Sequence, residues 1–107
     1  MEIGYMGPFA LEDTVRLALQ CRNASDVATA PDAAPSWAAY KLTGGDDTAI
    51  LTGSLGSSDA DSKTGFRTGD MAATAANGFA AGNMYVVRFT YDISSTAYVN
   101  LATLLIQ

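Results

Sequence analysis

A chain of 107 residues, 49 % hydrophobic and 16 % charged, is of single-domain length, with a thin core because much of its apolar content is alanine. Its net charge of −5 and pI near 4.2 disfavour nonspecific attraction to nucleic-acid phosphates or anionic lipid. The absence of histidine excludes imidazole general-base chemistry, serine triads and most zinc sites, and a single cysteine, Cys21, excludes an internal disulfide.

Residues 1–13 mix glycine and proline with Ile3, Tyr5, Met6, Phe9 and Leu11 and follow neither a helix nor a strand period. They predict an irregular N-terminal arm, and so apolar an arm needs something to pack on. From Thr14 to Arg22, alternation of Val15, Leu17, Leu19 and Cys21 favours a strand over the competing helical stripe. Cys21 then reads as a small buried hydrophobe. Asn23 to Pro35 carries two prolines and several turn formers and is a loop. Ser36 to Leu42, with Trp37, is the next strand, followed by a turn at Gly44-Gly45-Asp46-Asp47 and a third strand from Thr48 to Leu55.

Gly56 to Thr64 is small and polar, an expected mobile loop. Gly65 to Asp70 predicts a short strand, and the alanine-rich Met71 to Ala76 a helical turn. The strongest signal comes next. Tyr85, Val87, Phe89, Tyr91 and Ile93 alternate with Val86, Arg88, Thr90 and Asp92, a period of two rich in β-branched and aromatic residues. Just before it, Gly82 and Asn83 suit a tight turn and Phe79 can plug the end of a core, so the Tyr85 hydroxyl can swing back to the upstream backbone as a tyrosine corner. Ser94-Ser95 turns the chain into a last strand, Thr96 to Ile106. About six to seven strands at this spacing predict an all-β, immunoglobulin-like antiparallel β-sandwich, with residues 14–107 as the sandwich and 1–13 as the arm.

The chemistry-bearing candidates are few. Asp46-Asp47 and Asp59-Ala60-Asp61 are adjacent loop carboxylates of a type that suits a weak calcium site, but with neither EF-type spacing nor a closing glutamate they read as solvated turn residues. Gly56 through Lys63-Thr64 fails as a phosphate loop because Ser62 stands where that motif needs glycine. Trp37, with Tyr40, is open to two readings, a ligand platform or a core anchor. No catalytic residue, cofactor or metal site is expected.

The run from Phe79 through Gly82 to Tyr85-Val86-Val87 resembles the corner of fibronectin type III domains. The Pro-bracketed loop before Trp37, Leu51-Thr52-Gly53-Ser54, Thr64-Gly65-Phe66 and Asn77-Gly78-Phe79 extend the likeness over residues 30–93. The layout resembles the small immunoglobulin-like sandwich proteins of tailed-bacteriophage virions. That resemblance implies a non-enzymatic virion structural protein, foremost a capsid decoration or cement protein that stabilises the head. It also implies a homo-oligomer made in the host cytoplasm that binds the major capsid protein or other virion subunits, with no nucleic-acid or membrane partner. The alternatives are a neck or tail adaptor, a fibre module, or a carbohydrate- or receptor-binding sandwich. On the decoration reading, Ile3, Tyr5, Met6, Phe9 and Leu11 are the docking residues and Phe79, Gly82 and Tyr85 the structural corner.

Overall fold

The computed structural model describes residues 3–42 and 48–107, with side chains from residue 4. Seven strands make up the described fold: β1 (Ile3–Phe9), β2 (Thr14–Gln20), β3 (Ser36–Lys41), β4 (Leu51–Ser54), β5 (Phe66–Ala72), β6 (Met84–Ile93) and β7 (Thr96–Ile106). They form a five-stranded sheet in the order β1-β7-β6-β3-β4, faced by a two-stranded sheet of β2 and β5. The fold is an all-β sandwich. All pairs are antiparallel except β1 with β7, which run parallel.

That exception corrects the expected irregular arm. Ile3, Gly4 and Tyr5 pair with Leu101, Ala102 and Thr103, and after a break Pro8 and Phe9 pair with Leu105 and Ile106. Gly7 sits in the break at a φ of +93°, a conformation glycine adopts at little cost and a β-bulge exploits. Pro8 is tolerated because β1 is an edge strand, where a missing N–H need not break a ladder. Met6, Phe9 and Leu11 are half-buried against the sandwich's own core, whereas Tyr5 remains 58 % exposed.

Other boundaries shift modestly. The strand expected over Thr48 to Leu55 is confined to Leu51–Ser54. Met71 and Ala72 complete β5 instead of starting a helical turn, and the 3₁₀ turn falls at Ala75–Asn77, where the Thr74 side chain accepts from the Asn77 amide. The turn expected at residues 44–47 lies outside the described residues. The β6–β7 hairpin forms as expected, with Ser94 and Ser95 at φ of +51° and +65°, both positive as in a type I′ turn. Asp32 ties this turn down, its carboxylate accepting from both serine amides at 3.0 and 2.9 Å.

The core lies between the sheets. Val15, Leu17 and Leu19 of β2 and Met71 of β5 meet Trp37 and Ala39 of β3, the alternate residues Tyr85 to Ile93 of β6, and Leu104 and Ile106 of β7. Trp37 pairs across to Gly53. A Cβ there would stand 2.6 Å from the indole Cζ2, closer than van der Waals contact allows, so the ring needs a residue without a side chain beneath it.

The corner closes as the spacing predicts. The Tyr85 hydroxyl accepts a hydrogen bond from the Ala80 amide at 2.8 Å, its ring lies 4.7 Å from that of Phe79, and Gly82 turns at a φ of +87°. Tyr85 is fully buried, so Tyr85→Phe removes the acceptor while keeping the ring. A loss of about 1 kcal/mol is expected, read as a lower urea midpoint at unchanged slope.

Candidate functional site

Two surfaces stand out, and both follow from the mismatch between a sheet of five strands and a cover of two. The first is the outer face of the larger sheet. Because Tyr85, Val87, Phe89, Tyr91 and Ile93 point inward, period two turns Met84, Val86, Arg88, Thr90 and Asp92 outward. The register carries this face onto Leu105, Thr103, Leu101, Val99 and Ala97 of β7, onto Tyr40, Ala38 and Ser36 of β3, and onto Tyr5 of β1. Tyr40, Met84, Val86, Val99, Leu101 and Leu105 are only partly shielded and lie outside the core cluster. On β6 and β7 the face carries just two charges. The Arg88 guanidinium lies 5.2 Å from the centre of the Tyr40 ring, and among the described residues neither Arg88 nor Asp92 has an ion-pair partner.

The second surface is a cleft of about 800 Å³ where the two-stranded sheet stops short of covering β7 and β1. Leu19, Phe89, Tyr91, Tyr98 and Ala102 give it an apolar floor, and Arg22, Asn23, Asp26 and Asn100 a polar rim. Tyr91 and Tyr98 stack at 5.4 Å. The Tyr91 hydroxyl accepts from the Arg22 amide and donates to the Arg22 carbonyl, both at 3.1 Å, which holds the end of β2 against β6.

The residues singled out from sequence are dispersed. Trp37 is 5 % exposed and belongs to the core, as the anchor reading had it, although its Nε1–H meets no acceptor among the described residues. Asp59 is neither a solvated turn residue nor a free ligand. It accepts from the Gly65 amide at 3.0 Å and from Arg67 Nε at 3.2 Å, holding a guanidinium that is itself 5 % exposed and that also donates to the Gly56 carbonyl. Asp61 is exposed, and Asp46 and Asp47 lie outside the described residues. Among the described residues no three potential metal ligands come together.

Of the five arm residues, Tyr5 faces outward and Met6, Phe9 and Leu11 pack inward, while the side chain of Ile3 lies outside the described residues. Sequence reading missed the outer face. The available signal was β7 itself, in which both alternating sets of residues are mostly apolar, Tyr98, Ala102 and Leu104 interrupted by Asn100, and Val99, Leu101 and Leu105 interrupted by Thr103. Such a pattern indicates a strand with two faces to cover.

Cys21 is fully buried. Burial pushes its thiol up to about 11, the Arg67 guanidinium pulling it partly back and the Asp59 carboxylate adding to the rise. A thiol held protonated in the fold contributes stability that is complete below its unfolded value of 9.0 and is lost as pH climbs through the folded one. Stability is therefore expected to drop by roughly 2–3 kcal/mol between pH 9 and 11, a drop that Cys21→Ala abolishes when urea midpoints of the two proteins are compared across that window.

Compared with known proteins, the chain matches no family model, no curated protein and no solved structure.

Proposed function

We propose that this is a non-enzymatic structural subunit that acts by packing the outer face of its five-stranded sheet against other subunits of an assembly, with capsid decoration in a bacteriophage virion as its setting. The observation that carries the reading is that face: Tyr5, Tyr40, Val86, Leu101 and Leu105 clustered around a lone guanidinium. Sheet strands lie about 4.8 Å apart and rise about 3.4 Å per residue. Four neighbouring strands of seven or so residues thus present a face on the order of 450 Å². It is apolar at Tyr40, Val86, Leu101 and Leu105 and interspersed with Ser36, Thr90, Thr103, Arg88 and Asp92, a mixed surface of the kind found at contacts between subunits. The low charge content, 16 % against about 25 % in ordinary domains, favours the same reading. The virion setting is supported by the likeness of residues 30–93 to phage sandwich proteins.

Particles assembled without this protein, incubated with the purified chain and pelleted, are expected to take it up to saturation. Val86→Asp places a charge in the middle of the face, between Tyr40 and Thr103, without touching the core, so it should leave the circular-dichroism spectrum intact and weaken uptake by about tenfold or more. No uptake of the native chain overturns the decoration reading. Equal uptake of the variant overturns this face as the contact.

A further inference from the structure

The edge of β2 above the cleft has a hydrogen-bonding phase that can be fixed from its two ends. The Cys21 amide donates to the Gly65 carbonyl and the Ala73 amide to the Asp13 carbonyl, each at 2.9 Å. In an antiparallel ladder such bonded pairs recur at every second residue, so the odd-numbered residues of β2 bond to β5. Thr14, Arg16, Ala18 and Gln20 therefore turn their N–H and C=O groups to the other edge, where no backbone of this chain meets them among the described residues. Arg22, the next residue in that phase, has both groups satisfied by the Tyr91 hydroxyl. The open row thus ends where a side chain closes it.

We propose that this edge and the cleft beneath it form a receptor for an extended strand from another polypeptide, which completes the smaller sheet as a third strand. The inference rests on the assembly-subunit reading and adds to it a second mode of attachment. Backbone groups in a row of fixed spacing are matched only by another backbone in the β conformation, and that identifies the occupant as a strand. Its alternate side chains then drop into the cleft, whose apolar floor of Leu19, Phe89, Tyr98 and Ala102 selects apolar residues at every second position. The remaining side chains face solvent beside Arg16 and Ala18, both exposed. Gln20 does not block the row, because its side-chain amide is turned to the carbonyls of Cys21 and Thr64.

The probe is a panel of octapeptides alternating Thr with Val, Leu or Tyr, added to the isotopically labelled full chain and followed by amide hydrogen exchange. Exchange at Arg16, Ala18 and Gln20 is expected to slow by about tenfold with at least one peptide, with shifts at Leu19 and Tyr98. The same peptide N-methylated at alternate amides should lose all of this protection. Ala18→Pro removes one open-edge donor and leaves the ladder to β5 whole, so it should stay folded and bind more weakly by about tenfold. Absence of protection with every peptide overturns the proposal, as does equal binding of the N-methylated peptide, which is decisive even if Ala18→Pro fails to fold. Protection that appears without peptide as the protein is concentrated also overturns it, because the occupant is then a second copy. Val86→Asp, on the outer face and away from the cleft, should bind the peptide normally, so failure of the strand receptor and failure of the outer-face contact give different results.

Discussion

A chain cut back to begin at Glu12 is expected to melt at least about 10 °C below the full chain. Its loss includes Met6, Phe9 and Leu11, all half-buried against the core, and the whole backbone ladder of β1 with β7. A large apolar side chain is worth about 1.5–3 kcal/mol when fully buried, so three at half burial amount to roughly 3–4 kcal/mol. A domain of this size shifts by about 4–8 °C per kcal/mol. An arm that served only for docking would leave the melting temperature unchanged, and circular dichroism during heating separates the two outcomes. The β1–β7 ladder makes this segment part of the sandwich, where the sequence pattern led to an irregular arm.

Asp59→Ala is expected to cost about 2–4 kcal/mol, more than its place in a polar loop suggests. The substitution strands the Arg67 guanidinium, 5 % exposed, without its carboxylate and frees the Gly65 amide. Removing one partner of a buried pair typically costs about 3–5 kcal/mol, and the lower figure here reflects an Asp59 side chain that is 36 % exposed. Arg67→Met in the same chain should recover most of the loss, since no uncompensated charge then remains. Urea midpoints of the two single variants and the double variant measure this directly. Additive losses would show that the two residues act independently.

What could be read from the sequence followed how local its cause was. β6 announced itself because ten residues keep strict alternation, and the corner because Phe79, Gly82 and Tyr85 act within one short stretch. β1 was illegible for a definite reason. Its bulge at Gly7 inserts a residue between Tyr5 and Pro8, so Tyr5 and Pro8 share one face and Met6 and Phe9 the other, a spacing of three that a search for period two rejects. The bond from Asp59 to Arg67 joins a loop to the following strand, and nothing in Asp-Ala-Asp distinguishes a structural carboxylate from a solvated one. The cleft could not be foreseen, because it exists only through the order of strands in the two sheets.

The parallel contact between β1 and β7 joins the two ends of the described chain, residue 3 beside residue 101. On the ribosome this imposes a wait. β1 is made about a hundred residues before β7, its ladder partner among the described strands, and at about 5–20 residues per second the delay between them runs to roughly 5–20 s. Throughout it, Tyr5, Met6 and Phe9 travel with an unpaired edge, the condition in which strands find wrong neighbours. Of the described pairings this one closes the widest loop, so the five-stranded sheet becomes whole only once β7 has been made.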